Sequence, residues 1–154
     1  MSSRLAVVRA GGEAPQSLRV AFATGDRRHV DQHFGSAAGF LVYRASARGH
    51  DFVEAIRFDP AAEDGGEDKL NERIAALEGC AAVYVEAVGS SAIRRLFAAG
   101  VQPVKVDPGL PIAEALAALE GEIREPAALW IARALSGRRD PSRFKALGGE
   151  AWDD

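Results

Sequence analysis

At 154 residues the chain has room for one compact core but not for a second full domain. Hydrophobic residues at 47% and charged residues at 27% are ordinary globular usage, which excludes a disordered or fibrous chain. The formal net charge of −3 supplies no general attraction for nucleic acid or anionic lipid, so no partner of either class is expected.

The longest strongly apolar stretch, Ala81 to Val88, is broken by Glu86 and falls far short of the roughly 20 residues that span a bilayer. Met1 to Arg9 holds too short an apolar core for a secretory leader, and a cytoplasmic protein is expected. Cys80 is the single cysteine. No intramolecular disulfide can form, and one chain cannot hold a cluster by four thiolates.

Residues 1–17 contain Gly11, Gly12 and Pro15 and show no sustained period, so they read as an extension. From Leu18 to Thr24, Leu18, Val20 and Phe22 alternate with Arg19, Ala21 and Ala23, the pattern of a half-buried strand. A polar loop follows through His33. Gly39 to Ala45 and Phe52 to Phe58 are rich in aromatic and β-branched residues, and 47–51 between them has turn composition, which predicts an antiparallel hairpin. Acidic residues Asp59 to Asp68 lead into Leu70, Ile74 and Leu77 at helical spacing, closed by Gly79. Ala81 to Val85 lacks alternation, as expected of a central strand covered on both faces.

Ser90 or Ser91 can cap the next helix, whose Ile93, Leu96 and Phe97 form an apolar face before Gly100. Val101 to Val106 reads as a strand, and Pro103 favours an edge position for it. Pro111 opens a helix carrying Ile112, Leu116 and Leu119, with Gly121 as its expected end. Pro126 to Leu135 suggests a short further helix, and the stretch from Gly137 reads as a tail. The order strand, strand, strand, helix, strand, helix, strand, helix predicts an α/β fold, a mixed sheet with an antiparallel hairpin and parallel crossovers.

Two of the three histidines, His29 and His33, fall in the polar loop after the first strand. Loops beyond the carboxyl ends of strands are where α/β folds bind ligands. A neutral imidazole is a ligand suited to iron, and a carboxylate such as Asp26 or Asp31 can fix its second nitrogen. Arg27 and Arg28 can offset the charge of an anionic cluster. Ser90 and Ser91 open a helix on the same side, where free backbone N–H groups receive anions, although a plain serine cap accounts for these residues equally well. Cys80 enters its strand from the amino end, the opposite end of a parallel sheet. The sequence has no G-x-G-x-x-G, P-loop, H-E-x-x-H or G-x-S-x-G pattern, so nucleotide binding and those hydrolytic chemistries lack support.

Val20-Ala21-Phe22-Ala23, Val30-Asp31-Gln32-His33-Phe34-Gly35-Ser36, Gly79-Cys80-Ala81-Ala82-Val83-Tyr84 and Gly100-Val101-Gln102-Pro103-Val104-Lys105-Val106 together resemble the family of NifX, NafY and the carboxyl-terminal domain of NifB. The likeness covers approximately Leu18 to Glu122, and Asp31-Gln32-His33-Phe34-Gly35 is its most specific element. The closing Glu150-Ala151-Trp152-Asp153-Asp154 resembles the end of the NifX branch.

This resemblance implies a ribonuclease-H-like three-layer fold, a mixed five-stranded sheet with helices on both faces. It implies a non-enzymatic carrier of an iron–sulfur precursor of the nitrogenase iron–molybdenum cofactor, the NifB product (NifB-co), or of the iron–molybdenum cofactor, and no nucleotide. The partners implied are NifB, which delivers, and NifEN, which receives. The family's cofactor-binding histidine maps onto His33 as metal ligand, with His29 a secondary candidate. The expected organisation is an extension over 1–17, a cofactor-precursor-binding domain over 18–122 and a C-terminal helix and tail over 123–154, in a monomer.

A prebuilt cluster has irons already satisfied by sulfide, so few protein ligands are needed, and light ligation suits a carrier that must release its cargo. Two other readings compete. A metal-dependent nuclease is disfavoured because Leu18 to Thr24 contains no carboxylate for the first position of a two-metal cluster. A non-catalytic interaction or regulatory module would leave the loop histidines as plain surface residues.

Overall fold

The structure, a computed structural model, describes residues 16–59 and 66–137. The expected extension before Gln16, the middle of the acidic segment with Pro60 and Gly65, and the tail from Arg138 to Asp154 lie outside the described residues.

Five strands form the main sheet in the order β4-β3-β1-β5-β6: β1 (Ser17–Ala23), β3 (Gly39–Ser46), β4 (Gly49–Arg57), β5 (Ala82–Val85) and β6 (Gln102–Lys105). β1 lies at the centre, antiparallel to β3 with Val20 opposite Tyr43, and parallel to β5 with Phe22 opposite Tyr84. The expected half-buried pattern of this strand is corrected. Ala21 and Ala23 are as buried as Leu18, Val20 and Phe22, because a second core layer covers the face they occupy. β5 is buried along its whole length, as its lack of alternation implies. β6 is an edge strand, the position that tolerates Pro103.

Helices cover both faces. α3 (Ile112–Arg124) sets Ile112, Leu116 and Leu119 against Leu18, Val20 and Phe22, and α4 (Leu129–Gly137) adds Ile131 and Leu135 to the same cluster. On the other face α1 (Gly66–Ala76) and α2 (Ser90–Ala98) pack with Phe34, Phe40, Val83 and Leu96. Full burial of each large apolar side chain contributes about 1.5–3 kcal/mol, so the two layers are the main source of stability.

Local chemistry sets the boundaries. The hairpin turn narrows to Ala47-Arg48, because the Ser46 hydroxyl accepts the Arg48 N–H at 3.1 Å and donates to the Gly49 carbonyl at 3.4 Å. Gly79, with φ +89°, takes the left-handed conformation that ends the α1 segment as expected. Gly121 does not end α3. The helix continues to Arg124 because Ile123 is buried at its far end, and that burial outweighs the glycine penalty of about 1 kcal/mol. Ser90 and Ser91 do not cap α2; Gly89 occupies the cap position in an extended conformation with no side-chain cap bond. The buried seam of α2 is Ala92 and Leu96, while Phe97 stays 40% exposed, a shift from the face read off the sequence.

Gly39 pairs with Arg57 so closely that an added Cβ would stand 2.5 Å from the Ile56 carbonyl oxygen. Gly39→Ala is therefore expected to cost about 1–3 kcal/mol, the range of an overpacked contact, measured by urea denaturation at equilibrium.

Candidate functional site

The chain leaves β1 at Thr24, whose hydroxyl accepts the Arg27 N–H at 2.9 Å and donates to Asp26 at 3.2 Å. Asp26 Oδ1 accepts the N–H groups of Arg28 and His29, both at 2.8 Å, and Oδ2 lies 2.6 Å from His29 Nδ1. Arg27 is driven to φ +69°, the left-handed region, by this tight winding. The bond from the His29 ring and the two backbone donors hold the Asp26 carboxyl far below its ordinary value of 3.8.

Because the shift is downward, the loop's Asp26 contribution is complete above that ordinary value and is lost only as pH falls through the depressed one. The expected result is that the winding persists at neutral and mildly acidic pH, and that Asp26→Ala speeds amide hydrogen exchange at Arg28 and His29 several-fold, read by NMR at pH 7.

His29 and Val30 form β2, paired with β7 (Leu110–Pro111) in a small second sheet absent from the sequence reading. Two-residue strands carry no readable period.

The next five residues each have a distinct task. Asp31 Oδ1 accepts the Gly25 N–H at 2.9 Å, closing the loop on itself rather than touching the His33 ring. Gln32 spans the segment: its side-chain oxygen accepts the Ala38 N–H at 2.9 Å and its carbonyl accepts the Glu86 N–H at 3.0 Å. His33 bridges Ala87 in parallel register and its side chain is exposed. Phe34 is fully buried, its N–H donating to the Ala87 carbonyl at 2.8 Å and its ring stacked on Phe40 at 5.8 Å. Gly35, with no atom within 4 Å of a notional Cβ, begins the open side of a 3₁₀ turn (Phe34–Ser36).

This arrangement brings His33 beside the start of α2. His33, Phe34, Gly35, Ser36, Ala87, Val88 and Gly89 line one open cleft of about 520 Å³. The first N–H groups of α2 have no acceptor within their own helix, and Ser90 and Ser91 stand exposed there, just outside the cleft lining. Arg27 and Arg28 are exposed on the preceding loop, outside the cleft lining.

His29 does not line the cleft. Its Nδ1 is engaged by Asp26, so the carboxylate expected to orient an iron-binding imidazole serves His29 and not His33. Cys80 is 5% exposed, before β5, and the parallel β1–β5 pairing puts it at the end of the sheet away from His33. A larger opening of about 740 Å³ beside Ala47 and Arg124 is lined by none of the candidate ligand residues read from the sequence. Among the described residues no three His, Cys, Asp or Glu side chains gather as a metal site, so a ligand here would meet one imidazole and backbone donors.

Arg73 escaped sequence reasoning. It is 5% exposed on the inner side of α1, and its Nε and Nη2 donate to the Ala37 carbonyl at 3.2 and 2.6 Å. The available signal was its position between Leu70, Ile74 and Leu77, on the apolar face of the helical pattern.

Fold and site define a small three-layer α/β domain with an open cleft and a solvent-facing imidazole beyond the carboxyl end of its central strand. The chain belongs to the family described as dinitrogenase iron-molybdenum cofactor, whose model matches residues 16–122. It is 45% identical over 139 residues to protein NifX of Azotobacter vinelandii, covering 89% of this chain and 88% of that one. It is 37% identical over 121 residues to protein NifX of Herbaspirillum seropedicae, covering 78% of this chain and 83% of the relative. Among solved structures, the crystal structure of PH0822 matches with a TM-score of 0.52 at 25% identity, over 68% of this chain and 91% of that one. The apo form of the orange protein from Desulfovibrio gigas shares the fold, with a TM-score of 0.51 at 24% identity over 71% of this chain and 92% of its own.

Proposed function

We propose that this chain acts in nitrogenase cofactor biosynthesis as a transient carrier, taking an iron–sulfur precursor, the NifB product, from NifB and passing it to NifEN without catalysing a step itself. The observation that carries this reading is the exposed His33 ring beside the start of α2 in an open cleft. An imidazole there can ligate one iron, while α2 N–H groups and the Ser90 and Ser91 hydroxyls meet the sulfide surface and the cluster's negative charge.

Family membership and the names of relatives support the same direction. The FeMo cofactor biosynthesis protein NifB of Herbaspirillum seropedicae is 37% identical over 90 residues, covering 57% of this chain and 17% of its own length. Arg27 and Arg28, exposed on the loop before His33, add a second source of positive charge, and His29, fixed through Nδ1, presents its other nitrogen as a secondary donor. The cargo-binding part is assigned to residues 18–122. A strand order in which the central strand pairs antiparallel with the hairpin and parallel with β5 favours the ribonuclease-H-like description. A cytoplasmic setting is part of this reading; none of the described helices is long and apolar enough to cross a membrane.

Light ligation is the physical requirement of a carrier. Multiple thiolates would slow release, whereas one imidazole and electrostatic contacts yield to a scaffold with more ligands. The test is anaerobic loading of the purified protein with the NifB product, followed by iron and molybdenum analysis and by transfer to apo-NifEN. Bound iron that moves to NifEN is expected. The competing reading, an interaction or regulatory module, takes its support from the sparse donor set among the described residues. A protein that stays colourless and iron-free under these conditions would favour it.

A further inference from the structure

Among the described residues, the inner side of α1 carries one charge, that of Arg73. Arg73 is 5% exposed among Leu70, Ile74 and Leu77, residues of the core layer that also holds Phe34 and Phe40. Burying a guanidinium is costly unless its donors are satisfied. Among the described residues a carboxylate does not provide this: Glu72 Oε1 is 4.0 Å away and half exposed. Backbone oxygens provide it instead, with Nη1 donating to the Lys69 carbonyl at 3.3 Å and both Nε and Nη2 converging on the single carbonyl of Ala37.

Ala37 follows the Phe34–Ser36 turn that walls the cleft, and its own N–H closes that turn on the Phe34 carbonyl at 3.3 Å. A second route runs through rings. The guanidinium lies 4.3 Å above the Phe58 ring, Phe58 meets Phe40 edge-on at 5.3 Å, and Phe40 stacks on Phe34, the residue after His33. A core position alone would be filled at less cost by an apolar side chain. What leucine or methionine could not supply is the pair of convergent donors on the carbonyl that terminates the turn.

We propose that Arg73 is a positioning residue of the cleft, holding the turn from Phe34 to Ala37 from behind and thereby fixing the His33 ring where a ligand meets it. The identity of that ligand rests on the carrier reading above; the positioning does not. Arg73→Met keeps an unbranched apolar stem in the core and removes the donors, and Arg73→Lys keeps one cationic donor but not the convergent pair.

The measurement is the His33 ring cross-peak in a carbon–proton NMR spectrum of the full-length, cluster-free protein, assigned with His29→Gln and His50→Gln. In folded Arg73→Met the peak is expected to shift or double, and anaerobic uptake of the NifB product to fall about tenfold, the order of loss when a ligand's supporting contact is removed. Arg73→Lys is expected to fall between it and the native protein. If Arg73→Met does not fold, Arg73→Lys is read by the same peak. A His33 peak at its native position overturns the proposal, whatever happens to melting or uptake, because a merely structural Arg73 changes stability without moving that ring. A native protein that takes up no cluster would remove the carrier reading and leave the NMR result to decide the role of Arg73.

Discussion

His33→Ala is expected to lower the affinity for the NifB product at least about tenfold while leaving thermal unfolding nearly unchanged. The loss is set by ligation: removing even a supporting contact of a metal ligand typically costs 10–100-fold, and here the proposed donor itself is removed. Stability is spared because the His33 side chain is exposed, and truncation of such a residue usually changes stability by no more than about 0.5 kcal/mol. Its backbone bridge to Ala87 does not depend on the ring. The check is anaerobic titration with purified cluster, iron analysis of the gel-filtered protein and a parallel melting curve. The two readouts together separate a ligand from a fold element.

Phe34→Ala is expected to do the reverse, costing about 3–5 kcal/mol of stability, the range for deletion of a buried aromatic ring. Phe34 is 0% exposed and its ring stacks on Phe40, which meets Phe58 edge-on. The same ring anchors the turn that walls the cleft, so cluster uptake should fall as well, even at temperatures where the variant is fully folded. Urea denaturation gives the first number and anaerobic uptake at 10 °C the second. Phe97→Ala, at a 40% exposed position on α2 outside the cleft lining, is the matched control and should affect both little.

The framework was legible where side-chain pattern and burial coincide. The unbroken apolar run before Glu86 announced a central strand, Pro103 an edge, and Gly79 a helix end, because each reports a local backbone or hydration requirement. The α3 terminus was missed at Gly121 because tertiary burial of Ile123 overrides a local helix-breaking preference. The serines at 90 and 91 looked like caps, yet an extended Gly89 takes that position and leaves both hydroxyls toward solvent.

The site was legible in part. His33 and the start of α2 were read as lying at one end of the sheet, and the cleft beside His33 reaches Gly89, the residue before α2, but its lining does not include Ser90 or Ser91. The roles of the carboxylates were not readable: Asp26 and Asp31 both sit close to histidines in sequence, but which ring or N–H each one meets depends on the winding of the loop. Arg73, remote in sequence from the loop, becomes part of the cleft's support only through the packing of α1 on the turn.

The carrier account depends on a nitrogen–iron bond from His33. The direct measurement is electron–nuclear coupling spectroscopy of the loaded protein, poised in a paramagnetic state and labelled with nitrogen-15 histidine. A histidine nitrogen coupled to the cluster, and missing once His33→Ala is added to a His29→Gln background that removes the secondary donor, is the predicted result. A loaded native protein without that coupling, or a coupling that persists in the double variant, would contradict it.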